Sequence, residues 1–126
     1  MDAMQAYERL GVKPVINAAG SITKYGGTRT RPEVLELMAE AARIMVNVDE
    51  LNRKAGEEIA RLTGAEAGFV CSGAAGGLVL QAAAVIAGKD PVKMRQLPDT
   101  TGMKDEIIIQ NMHRFPYEQA FRAGGG

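Results

Sequence analysis

The 126 residues include only one cysteine and one histidine. The lone Cys71 excludes an internal disulfide and any cysteine-rich zinc site, and fits a reducing, cytoplasmic setting. With His113 as the single imidazole and no carboxylate pair at ligand spacing, no metal site is expected. Neither sign of charge dominates: 15 basic residues face 15 acidic ones. No net field therefore draws the chain to nucleic acid or to an anionic membrane. Long hydrophobic runs are also missing. The opening MDAMQAYERLG is charged and lacks the apolar core of a signal peptide. The longest apolar stretch, after Gly77, is too short and too interrupted to span a bilayer. Two standard phosphate motifs are absent as well: there is no G-x-x-x-x-G-K-[ST] and no GxGxxG. What is present is the balance of a soluble globular chain, 46% apolar and 24% charged, of a length for one ordinary domain.

Met1 to Leu10 reads as a short helix closed by Gly11, with Pro14 just after it. Val15-Ile16 is a short extended piece leading into the loop NAAGSITKYGGT. Pro32 in a first turn, with Thr30 ahead as a cap, predicts a helix to about Val46. Its Val34, Leu35, Met38, Ala42 and Met45 share one face and read as core packing. A second helix is predicted from Asp49 to Leu62, stopped by Gly64 and bearing a charged face of Arg53, Lys54, Glu57, Glu58 and Arg61. Ala67–Cys71 reads as a buried strand, followed by a glycine turn and a helix to Ala87 capped by Gly88. KDPVKMRQLPDTTGMKD reads as a polar connection. Glu106–Gln110 (EIIIQ) is the clearest strand, its three isoleucines suiting a parallel strand covered on both faces. A helix restarts after Pro116 and stops at three glycines. Strand, helix, strand, helix in this order predicts an α/β layered sheet. Such a sheet is unfinished at Gly126, so the expectation is the front of a longer enzyme and not a small domain with a frayed tail.

The stretch FVCSGAAGG places glycines where a helix should be starting, which weakens it. A strand turning through small residues into a helix leaves amide N–H groups without intrahelical partners, aimed at one point. With the helix dipole they form an anion site suited to phosphate. Gly73, Ala74, Gly76 and Gly77 let a ligand approach the backbone, and the Ser72 hydroxyl adds a hydrogen bond. A second reading stands beside this one: small residues simply let the helix pack closely on the sheet.

His113 lies just beyond the EIIIQN stretch, at the strand end where ligands bind in open α/β sheets. It reads either as a ring-stacking or proton-shuttling group or as an exposed loop histidine. Cys71 is a candidate nucleophile by position, but a packed small hydrophobe is the simpler expectation.

Four stretches, PVINAAGSITKYGGT, RLTGAEAGFVCSGAAGGLVLQAA, LPDTTGMKDEIIIQ and HRFPYEQAFRAGG, together resemble the front of pyridoxal-phosphate enzymes related to bacterial selenocysteine synthase. The subgroup they are most similar to is that of D-glucosaminate-6-phosphate ammonia-lyase. The resemblance runs through nearly all of the chain in order. It implies an incomplete three-layer, fold-type-I aminotransferase-like large domain over residues 31–126, preceded by a helical and extended arm over 1–30. It further implies pyridoxal 5'-phosphate as cofactor, held through Ser72, Gly73, Ala74, Ala75 and Gly76, with His113 stacked on its ring. Asn17, Gly20 and Tyr25 would reach toward a small-molecule substrate or across a dimer interface of the full-length protein.

The resemblance also carries departures. Only 16 residues precede Asn17, where selenocysteine synthase has a tRNA-binding region, and CSGAAGG replaces an asparagine-rich loop. Both point to a small amino-sugar or amino-acid substrate and away from tRNA. The family's Schiff-base lysine has no counterpart among Lys13, Lys24, Lys54, Lys89, Lys93 and Lys104. A lyase or transferase fragment inactive on its own is therefore expected. The alternative from another class is a non-catalytic phosphate- or partner-binding α/β module.

Overall fold

The computed structural model describes residues 3–126. They form two compact units, the first ending at Val46 and the second running from Asn47 to Gly126.

In the first unit α1 spans Ala3–Arg9, the start of its predicted range lying outside the described residues. Gly11, at φ 69°, closes it as expected. A loop follows, with a 3-10 turn at Thr23–Tyr25 and a single antiparallel bridge between Ile22 and Gly27. α2 spans Pro32–Ala41, with Pro32 in its first turn and Arg31, not Thr30, at the N-cap. Pro32 lacks the N–H and fixes the φ that a first turn needs, so the helix starts there without a side-chain cap. It ends short of Val46, in turns closed by Ala42 and Arg43. Its apolar stripe is not a buried face. Leu35 and Met38 are more than half exposed, and Met45 beyond it is fully exposed.

The second unit opens with α3, Val48–Thr63. The Asn47 Oδ1 accepts from the Glu50 N–H at 3.1 Å, and Asp49 and Glu50 complement the positive end of the helix. Arg53, Lys54 and Glu57 pair along its outer face, as do Glu58 and Arg61. Gly64 in the left-handed region ends it, as the sequence leads one to expect. α4 spans Ala74–Ala87 and stops at Gly88. The connection after it contains a further helix that sequence reading passes over, α5 at Pro91–Gln96. Its cue is local: Asp90 caps it, accepting from the Val92 N–H at 2.8 Å, and Pro91 fills the first turn. 3-10 turns at Asn111–His113 and Pro116–Glu118 lead into α6, Gln119–Ala123.

The core is small and lies between α4 and α6: Ala82, Ile86, Ala87 and Ala120 are its buried residues. The terminal glycines belong to this packing and are not a frayed tail. A Cβ on Gly124 would lie 2.6 Å from the Val79 carbonyl oxygen and 2.8 Å from the Ala82 Cβ. A second seam joins α3 to the irregular segment after it. A Cβ on Gly56 would run into the Gly68 carbonyl, and one on Gly68 would lie 2.7 Å from the Gly56 oxygen.

The expected three-layer α/β architecture is not what these residues form. Among the described residues there are helices and one isolated bridge, with no strand and no sheet. Residues 67–71 and 106–110 lie in no helix or strand, and the backbone of neither pairs with that of a neighbouring segment. A strand is defined by its ladder partners, and an apolar run specifies only that one side chain after another wants cover. The isoleucines are not covered on both faces either. Ile107 and Ile109 are half-buried while Ile108 between them is 97% exposed. Cys71, expected inside, is exposed.

Apolar surface is correspondingly abundant. The chain exposes 11143 Å², whereas one compact body of its mass would expose about 6,500 Å², and two separate compact bodies together about 7,800 Å². Phe69, Val70, Leu80, Val85 and Met94 are among the second unit's exposed large residues. Surfaces of this kind associate. At micromolar concentration the chain should sediment as oligomers, and a single species at the 13.4 kDa monomer mass would contradict the prediction. Gly56→Ala and Gly124→Ala should each lower stability by about 1–3 kcal/mol or more, because the added carbon meets backbone that cannot rotate away. Urea midpoints unchanged from wild type would show that the seams are not tight.

Candidate functional site: the entry to α4

The approach to α4 is built from α3. Asn52, half-buried on that helix, donates from Nδ2 to the Val70 carbonyl at 2.9 Å and accepts at Oδ1 from the Val70 N–H at 3.3 Å. The chain then passes through Cys71, whose thiol donates to the Gly73 carbonyl at 3.4 Å. Gly73 is the N-cap of α4, at φ 134° and ψ 177°, a backbone that L side chains rarely adopt. Nothing lies within 4 Å of where its Cβ would stand, so the backbone is uncovered on that side.

No side chain caps α4, and its first turn carries no acidic residue. The first intrahelical bond is from the Gly77 N–H to the Gly73 carbonyl at 2.9 Å. The amides of Ala74, Ala75 and Gly76 therefore have no acceptor among the described residues. The Ser72 Oγ stands over this turn, 2.7 Å from where a Gly76 Cβ would be, and the Cys71 Sγ is 3.3 Å from where a Gly77 Cβ would be. These glycines make room for the two side chains that precede the helix. Three N–H groups, one hydroxyl and no negative charge at a helix N-terminus can hold an anion.

Phe115 and Tyr117 join Ala74, Gly77, Leu78 and Gln81 around an open hollow of about 660 Å³ beside this turn. The two rings are 5.7 Å apart. Arg114 donates twice to the Glu118 carboxylate, at 2.8 and 2.7 Å, holding the ends of this aromatic segment together. That hydrogen bonding keeps the Glu118 carboxyl below the usual glutamate range. Sequence reading singled out neither ring. Their available cue was the aromatic pair flanking Pro116. His113 closes the preceding 3-10 turn and is exposed, and it is not among the residues lining this hollow.

In the first unit, Asn17, Gly20 and Tyr25 line one hollow of about 580 Å³. Asn17 shapes its floor, donating from Nδ2 to the Gly20 carbonyl at 2.7 Å and accepting from the Ala19 N–H at 3.0 Å. Arg29, which the sequence reading did not single out, lines the same hollow. Among the described residues no group of three metal-binding side chains comes together, and no helix is long and apolar enough to cross a membrane.

No model of a known protein family matches the chain. Over 124 residues it is 38% identical to D-glucosaminate-6-phosphate ammonia lyase of Salmonella typhimurium (strain 14028s / SGSC 2262), a match covering 95% of this chain and 34% of that protein. It is 35% identical over 125 residues to 5'-C-glycyluridine monooxygenase-decarboxylase of a Streptomyces species, covering 95% of this chain and 31% of the relative. The solved structure of D-glucosaminate-6-phosphate ammonia-lyase superposes on 96% of this chain and 34% of its own with a TM-score of 0.89, at 38% sequence identity. The chain thus spans about a third of the length of the curated relatives it matches. Over nearly all of its residues, by sequence and by backbone path, the chain is similar to about a third of D-glucosaminate-6-phosphate ammonia lyase.

Proposed function

We propose that this chain carries the phosphate-anchoring loop of a pyridoxal 5'-phosphate enzyme, a lyase or transferase acting on a small amino-sugar or amino-acid substrate. The observation that carries the reading is the uncapped start of α4, where no side chain and no acidic residue competes for the first-turn amides. The kinship with an ammonia lyase supports it. The residues present fit a phosphate: the amides of Ala74, Ala75 and Gly76 and the Ser72 hydroxyl would hold it, and Gly73 leaves the approach open. When bound, the cofactor supplies an electron sink for carbanion chemistry at the substrate's amine-bearing carbon.

This chain's own residues would anchor and orient. Ser72 and the three amides fix the phosphate, while the His113 imidazole offers a flat face for a ring. Asn17, Gly20 and Tyr25 would meet the substrate, with Arg29 in their hollow adding positive charge for an acidic group. All six lysines are exposed and none lines the hollow at α4. We therefore assign none of them a covalent role, and propose that these residues alone do not catalyse. In the complete enzyme the abundant exposed apolar surface would serve association into a homo-oligomer.

Binding of pyridoxine 5'-phosphate to the chain tests the loop, since this alcohol cannot condense with lysines. Ser72→Ala removes a hydrogen bond to a charged group, worth about 1.5–3 kcal/mol, so affinity should fall roughly ten- to a hundredfold. Gly73→Val should abolish binding, because its backbone angles suit only glycine, while the helical circular dichroism stays near wild type. His113→Ala should have the smallest effect of the three. Near-wild-type binding by Gly73→Val would mean that the glycines serve packing alone.

A further inference from the structure

We propose that Asn52 is a positioning residue for the loop Ser72–Gly76, its side-chain amide standing in for a neighbouring strand. The proposal rests on the phosphate-anchoring reading and names the group that sets that loop's frame.

The segment 67–71 has no ladder. Among the described residues its backbone makes two hydrogen bonds, both at Val70 and both with the Asn52 side chain. This is the pairing of one donor and one acceptor that a residue across an antiparallel ladder would supply. A carboxamide carries one donor and one acceptor group at peptide-like spacing, so an asparagine can imitate a strand neighbour. Aspartate at pH 7 lacks the donor, and leucine lacks both groups.

Asn52 does not act by itself along α3. Gly56 stands one turn further along the same face, and its missing Cβ admits the Gly68 carbonyl. Gly56 sets how close the segment lies to α3, while the amide of Asn52 sets its register along the helix. Val70 is two residues before Ser72 and three before Gly73, the N-cap. The Cys71 thiol, bonded to the Gly73 carbonyl, bridges the interval. A shift of Val70 is thereby passed to the hydroxyl and amides at the start of α4. Asn52 touches no part of that anion site, so its effect runs through the backbone.

Two measurements on the full chain test this: amide hydrogen exchange resolved at Val70 and at Ser72–Gly76, and the affinity advantage of pyridoxine 5'-phosphate over pyridoxine. In Asn52→Leu the Val70 amide and the loop amides should exchange at least about tenfold faster. The phosphate advantage should fall by about tenfold, with the urea midpoint of the helices unchanged. Asn52→Asp, nearly isosteric, should show the same changes in smaller measure and serves if Asn52→Leu fails to fold. Exchange at Val70 and the loop within twofold of wild type would overturn the proposal. So would an unchanged phosphate advantage, or a loss of affinity in Asn52→Asp matched by a falling urea midpoint. If the wild-type chain itself shows no phosphate advantage, the anchoring reading fails. The loop amides then decide Asn52 separately: accelerated exchange keeps it as the group that frames the loop, and unaltered exchange removes it.

Discussion

Two backbones touch only where no Cβ stands between them, and the second unit depends on this at two places. At one, Gly56 of α3 admits the Gly68 carbonyl; at the other, Gly124 lets the end of α6 meet the Val79 carbonyl and Ala82 on α4. Neither seam buries much apolar area, since the buried residues are mainly alanines. Their contribution is geometric. Close approach places the segment 67–71 at a set depth beside α3, and places α6 and the aromatic turn before it beside the first turns of α4. The candidate anion site and the Phe115–Tyr117 hollow both follow from where those two approaches hold the chain.

Weak burial and a well-defined loop entry coexist because they draw on different interactions. Hydrophobic burial is non-directional and sums over area, and this chain leaves much of its apolar area in water. The entry to α4 is set instead by directional contacts, the Asn52 amide on Val70 and the Cys71 thiol on the Gly73 carbonyl, and by the positive-φ backbone of Gly73. A helix start held this way can keep its first amides uncapped, which ordinary helices avoid by placing Ser, Thr, Asp or Asn at the cap. α3 and α5 in the same unit do carry such caps, through Asn47 and Asp90. α2 and α6 also start without a side-chain cap, so α4 is set apart by joining a bare start to a glycine N-cap with nothing within 4 Å of its Cβ position.

Much of the helical layout was legible from local chemistry. Gly64 and Gly88 end α3 and α4 where their conformational freedom leads one to expect, and Pro32 opens α2. The glycine turn before α4 was legible too, as a run of small residues at a helix start. Less local features were not. α5 was passed over because six residues carry too little periodicity, although Asp90-Pro91 marked its beginning. The stripe Val34, Leu35, Met38 looked like a core face, but a hydrophobic period reports what could be buried, not what covers it.

By itself the sequence determined helix starts and stops, the glycine-rich loop and the kinship of four stretches in order, because caps, turn residues and motif spacing act within a few residues of one another. Only the tertiary structure decided that EIIIQ and GFVC have no ladder, that Cys71 is exposed, and that a side chain 18 residues away bonds both the N–H and the carbonyl of Val70. Those outcomes depend on which partner lies alongside. Pairing between distant segments is set by how close the backbones can come, and here two glycines and one carboxamide settle it.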